Sequence, residues 1–200
     1  MRLIGYQTTL NLLISLIQHV LSIISLATIS FTATSAVEGS SLSLNQTQIA
    51  AVEKAFPGAL VLSEQDIDEK SCKPIPGSPG HVIADFNGDG QMDFAALLMI
   101  GKEGEPIQWQ GQVLRKRNYA FAIFLADKKV GFRVKFSRRF ESYAPLSAYL
   151  EPQNPGPVID RDTNRNVVIQ HAAVVFVFCE KSASIYYISH NHVLEIFLAD

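Results

Sequence analysis

Between residues 81 and 100 the chain reads HVIADFNGDGQMDFAALLMI, a short oxygen-rich loop set between two apolar runs. No other stretch restricts the fold as tightly. Asp85, Asn87 and Asp89 stand at positions one, three and five of the loop, Gly90 at six, Gln91 at seven and Asp93 at nine. Alternate oxygen-bearing side chains let a sharply turned backbone aim several oxygens at one hard cation, and the glycine permits the turn. Gln91 is expected to add its backbone carbonyl. Three carboxylates and an amide suit calcium, which takes about six to eight oxygens, and do not suit zinc or copper, which prefer nitrogen or sulfur. Without a cation, carboxylates ~4 Å apart repel by up to about 4 kcal/mol per pair at an intermediate dielectric. The loop is therefore expected to hold Ca2+ on Asp85, Asn87, Asp89, Gln91 and Asp93.

An ordinary EF-hand ends in a bidentate Glu at the twelfth position, where this chain has Ala96. The flanks also read as strands: residues 82–85 enter the loop, and 94–100 leave it as the unbroken apolar run of a buried strand. Asp93 therefore closes a strand–loop–strand site. Upstream, residues 45–56 place Ile49, Val52 and Phe56 at helical spacing, with Asn45 or Thr47 to cap the start and Pro57-Gly58 to end it. Residues 59–62 read as a short strand and 63–70 as an acidic turn or short helix. Residues 73–80, with three Pro and two Gly, read as irregular loop.

Downstream the pattern is strands. Tyr119, Phe121, Ile123 and Leu125 alternate with Ala120, Ala122 and Ala126, one bulky face and one small face. Phe132, Val134 and Phe136 alternate with Arg133 and Lys135, a half-buried strand with a wet outer side. Further strands are expected over 167–178 and 182–188, and after a turn at 189–192 residues 193–198 close a final hairpin. The long connection 101–117, with the only Trp at 109, reads as a hairpin excursion. One helix followed by runs of strands predicts a mostly β or α+β domain of antiparallel meanders.

The run DFNGDGQMD resembles the calcium loop of FG-GAP and related VCBS-like repeats, found in integrin-type propeller blades and in many exported bacterial proteins. The likeness covers the loop closely and its flanking strands loosely. It implies a blade-like meander in which the strands around Val82, Phe94, Tyr119 and Phe132 share one four-stranded sheet. It also implies Asp85, Asn87, Asp89, Gln91 and Asp93 as the calcium ligands. A propeller needs several blades to close its ring, whereas one such loop is evident, so a full propeller is not expected. The chain is more similar to small single-loop exported proteins. Its C-terminal pattern of Glu180, Ser182, Ala183 and Tyr186-Tyr187 before a last hairpin is similar to theirs.

Residues 1–36 carry one charge, Arg2, then an apolar stretch over 10–27 and the small-x-small site Thr34-Ser35-Ala36. That is the order of a secretory signal peptide. A retained membrane anchor is the competing reading, against which Gln18 and His19 interrupt the stretch. Residues 37–200 then form a single β-rich domain, periplasmic or secreted, that meets the membrane only through the signal segment if it is uncleaved. Cys72 and Cys179 are the only cysteines. An even count in an oxidising compartment predicts one disulfide; the alternative is two unrelated buried thiols.

A formal net charge of −2 gives no global reason to expect nucleic acid. Arg115-Lys116-Arg117, Lys128-Lys129, Arg133, Lys135 and Arg138-Arg139 crowd one stretch, read as the solvated face of a sheet or, more sharply, as a patch for anionic polymers or headgroups. No nucleophile elbow, zinc-protease motif or phosphate loop is present, and no catalytic residue is singled out. Asp160, Asp162, Asn164 and Asn166 alternate like a second cation loop but lack the turn glycine, so they read as a turn. The expectation is an exported calcium-binding module for an unidentified envelope or extracellular ligand. A cell-envelope enzyme or inhibitor and a polysaccharide-binding adhesion module are the alternatives.

Overall fold

The computed structural model describes residues 43–72, 79–109 and 111–199, all within the unit Ala36–Asp200. The expected signal segment and cleavage site, and most of the loop expected over 73–80, lie outside the described residues.

Helix α1 (Gln46–Ala55) opens with a reciprocal cap. Asn45 Oδ1 accepts the Thr47 and Gln48 N–H groups at 2.9 and 3.0 Å, and Gln48 Oε1 accepts the Asn45 N–H at 2.8 Å. These bonds satisfy donors that a helix start leaves orphaned. The helix stops at Phe56, before Pro57, whose ring cannot continue it.

The first sheet contains β1 (Leu60–Val61), β2 (His81–Ala84), β3 (Asp93–Ile100), β4 (Pro106–Trp109), β5 (Gln112–Asp127) and β6 (Gly131–Ala144). β1 and β2 both pair with β3, β5 pairs with β3, and β4 and β6 both pair with β5, always antiparallel. The strands around Val82, Phe94, Tyr119 and Phe132 thus share one sheet, in the order β2-β3-β5-β6. Residues 101–117 contain the β4–β5 hairpin. The second sheet runs β12 (His192–Ala199), β11 (Ser182–Ser189), β10 (Ala173–Phe178), β7 (Ala148–Gln153), while β8 (Gly156–Asp160) and β9 (Arg165–Ile169) form a separate hairpin. The fold is β-rich and antiparallel, and neither sheet closes into a barrel.

Three apolar clusters define four layers. The two sheets meet face to face over Leu97, Tyr119, Phe121, Ile123, Leu125, Leu150, Val174 and Tyr186, with Phe121 stacked on Phe176 at 5.5 Å. On the other face of the first sheet, Val52 and Phe56 of α1 pack over Phe94, Ala96, Ala120, Ala122 and Phe124. The two faces of β5 are thus sorted as its alternation predicts, and the small residues let the helix approach the sheet. The β8–β9 hairpin contributes Val158, Val167 and Ile169 to a third cluster with Val175, Ile185 and Ile196.

Two strand expectations need correction. Phe132, Val134 and Phe136 do not share a face, because the β5–β6 register shifts at Ile123/Phe124, pairing Ile123 with Phe136 and Phe124 with Val134. Lys135 is the extra residue of this bulge. Phe132 therefore packs under α1 and Phe136 between the sheets. Residues 167–178 form two strands in different sheets, broken at 170–172, because an apolar run does not record a corner between layers.

Cys72 and Cys179 form the expected disulfide, with Cα atoms 5.4 Å apart. The bridge fits an oxidising compartment. The final hairpin turns through His190 and Asn191, both at positive φ (47° and 62°), as a two-residue turn matched to strand twist requires. No helix among the described residues is long and apolar enough to cross a membrane.

Candidate metal loop

β2 ends at Ala84 and β3 begins at Asp93, and the Ala84–Asp93 pairing closes the base of the loop between them. All five residues expected as ligands therefore lie on one tight excursion. Asp85 organises it: Oδ1 accepts the N–H groups of Gly88 and Asp89 at 2.7 and 3.2 Å, and Oδ2 accepts that of Gly90 at 2.8 Å. Asn87 Oδ1 accepts the Asp89 N–H at 2.9 Å. Asp89 Oδ1 accepts the Gln91 N–H at 2.8 Å, while its Oδ2 accepts the side-chain amides of Asn87 and Gln91 at 3.1 and 3.0 Å. Gly88 and Gly90 take φ values of 77° and 81°, a region in which a side chain is strained.

Asp93 differs from the others. It is fully buried, with Oδ2 accepting the Phe86 N–H at 3.0 Å and Oδ1 the Ala126 N–H at 2.8 Å. One carboxylate thus ties the loop to the end of β5. Burial pushes its carboxyl up to about 6, aided by the charges of Asp89 and Asp85 and opposed by the two N–H donors. Exposed Asp89 moves the other way, held below the ordinary value chiefly by the Gln91 N–H, with smaller help from Asn87, the Gln91 side chain and the Lys128 ammonium.

Among the described residues, no three His, Cys, Asp or Glu side chains gather into a metal-holding group. The hydrogen bonds show why: the carboxylates of Asp85, Asp89 and Asp93 are each turned onto backbone N–H groups. The donor set nevertheless fits a hard cation, being all oxygen and counting an amide and a carbonyl beside the three acids.

One neighbour of the loop is invisible to spacing. His171, between β9 and β10, lies against Gly88 so closely that a methyl group there would fall 2.2 Å from its Cε1. The second sheet thus touches the loop of the first through an imidazole on a glycine. Nothing near His171 in the chain signals this contact; the only local hint is a second glycine at loop position four.

The remaining candidates resolve more simply. Asp160 accepts the Asp162 N–H at 3.2 Å and the Thr163 hydroxyl at 2.6 Å, the bonds of a strand-connecting turn. The basic stretch is largely ion-paired: Arg115 and Arg117 with Glu103, Lys116 with Glu141, Arg133 with Asp127 and Arg138 with Glu195.

No family model, curated protein or solved structure matches the chain.

Proposed function

We propose that the chain is an exported, disulfide-stapled sandwich whose β2–β3 loop carries a structural calcium ion, and that it serves as a binding module of the periplasm or extracellular space. The observation that carries this reading is Asp93, a buried carboxylate bridging Phe86 and Ala126 beneath a loop of oxygen-bearing side chains. Asp85, Asn87, Asp89, the Gln91 carbonyl and Asp93 are the groups to hold the ion. It would supply charge compensation to three neighbouring carboxylates, a structural task. The apolar stretch 10–27 with its Thr34-Ser35-Ala36 site and the Cys72–Cys179 bridge support export.

An ion that binds only the folded chain stabilises it by roughly 2.7 kcal/mol at a hundredfold excess over Kd. Extracellular sites of this ligand type bind at about 10⁻⁴–10⁻³ M, so millimolar calcium is the condition to use. Thermal melts of wild type and Asp89→Ala, each with chelator or calcium, test the site. Calcium is expected to raise the wild-type midpoint and leave the variant unmoved. Equal wild-type midpoints, with no heat of binding by calorimetry, would reduce the loop to an acidic turn. Intact mass of the exported protein tests the leader: the expected N-terminus is near Val37, and a retained Met1 would make the segment an anchor.

A further inference from the structure

Away from the metal loop, a cavity of about 330 Å³ lies where the 3-10 turn Glu64–Asp66 meets Met99 of β3, Tyr119 of β5 and the end of β6. Tyr119 is 1% exposed, and its hydroxyl makes no hydrogen bond to any described residue. Burial pushes this phenol up to about 12; Arg117 pulls it down and Asp66 up, so both charges lie close to it. Arg117 lines the same cavity and is tied to Glu103 through Nη2 at 2.7 Å. Its Nε is closed to solvent and has no acceptor. Asp66 uses Oδ2 to accept the N–H and hydroxyl of Ser63 at 2.9 and 2.7 Å, leaving Oδ1 without a partner among the described residues.

Buried polar groups are normally satisfied, so the orphan Nε–H of Arg117, beside a phenol on the same cavity wall, calls for an acceptor there. The volume equals about ten waters at ~30 Å³ each. It sits at the low end of small-ligand sites, roughly 300–1,000 Å³, enough for one six-membered ring and too little for a longer chain. Charge narrows the class further. A carboxylate on the wall repels anions, and a guanidinium paired with Glu103 through Nη2 repels cations while keeping its Nε–H free to donate. Hydroxyl groups both donate and accept, so a polyol matches a phenol donor and a carboxylate acceptor together. Leu62, Met99 and Pro145 supply apolar wall for the C–H face of such a ring.

We infer that this cavity binds a neutral polyhydroxylated molecule the size of one sugar ring, with the Tyr119 hydroxyl donating to it and Asp66 accepting from it. The inference does not rest on the calcium reading, and its test is run with calcium present throughout. Backbone amide shifts of the exported chain are followed during titration with glucose, galactose, N-acetylglucosamine and myo-inositol, with acetate and methylammonium as charged controls. Saturable shifts at Asp66, Arg117 and Tyr119 are expected with at least one neutral probe. Tyr119→Phe should weaken them about five- to tenfold, the worth of one neutral hydrogen bond, and Asp66→Asn, which replaces a charged acceptor by a neutral one, about tenfold or more. Tyr119→Phe should melt like wild type, since its hydroxyl holds nothing in the protein. Silence from every neutral probe, a response to acetate alone, or a lowered melting point in Tyr119→Phe would each overturn the assignment.

Discussion

At the scale of single residues, two aspartates of one loop do different work. Asp89 is exposed and bonds only within its own turn, so Asp89→Ala should leave the chelated protein almost as stable as wild type. Asp93 is buried and satisfies two backbone donors at once. Asparagine keeps one acceptor and turns an amide N–H₂ toward the other donor, so Asp93→Asn should cost about 1–3 kcal/mol in urea melts under chelator. Glu195 gives a signed pH effect. Its partial burial works to raise the carboxyl, but hydrogen bonds from Arg138 and Tyr186 outweigh burial and hold it below the ordinary 4.5. A folded pKa below the unfolded one contributes stability that is complete above the unfolded value and lost as pH falls through the folded value. Urea midpoints should therefore drop on acidification below about pH 4.5, and Glu195→Gln should flatten part of that slope, about 0.2–1 kcal/mol for so exposed a pair. The oxygen-rich loop between β2 and β3 was legible in the sequence because its oxygen-bearing residues lie within nine positions. Tyr119, Asp66 and Arg117 were not, because only the fold brings residue 66 to the wall that β5 supplies.

At the scale of elements, local chemistry and tertiary pairing contribute unequally. Helix α1 was readable from Asn45, whose cap is made within four residues of chain. Asn45→Ala should lower stability by about 1 kcal/mol, and Asn45→Asp should retain most of it, measured by chemical denaturation. The β6 face was not readable past Lys135, because a bulge is a property of the β5–β6 register and an alternating sequence carries no mark of the extra residue. That bulge sends Phe132 to the helix face and Phe136 and Phe140 to the inter-sheet core, where they contact Tyr186 and Phe176. The hairpin turn at His190-Asn191 lies in between: the sequence marks a turn, and the left-handed backbone at both residues defines its type.

At the scale of the whole molecule, β10 joins the β2–β3 loop and the disulfide. His171, just before β10, rests on Gly88 of the β2–β3 loop, and Cys179, just after it, bridges to Cys72. At about 3.3 Å per residue the six residues of β10 span roughly 17 Å, so the sandwich is fastened at opposite ends by a loop contact and a covalent bond. The bridge closes a loop of 107 residues, for which the chain-entropy model gives about 4–5 kcal/mol as an upper figure. The Cys72→Ser/Cys179→Ser double variant should lose up to that amount in urea melts. Sites more than about 7–10 Å apart with no shared partner add to within ~0.5 kcal/mol. Calcium should therefore stabilise the bridged and unbridged proteins by the same increment, while His171→Ala, at the loop itself, should change that increment. The measurement is a set of urea melts of wild type, the double serine variant and His171→Ala, each with chelator and with millimolar calcium. An increment that collapses when the bridge is absent would mean that the two ends are coupled through β10, and the picture of two independent fastenings would have to be abandoned.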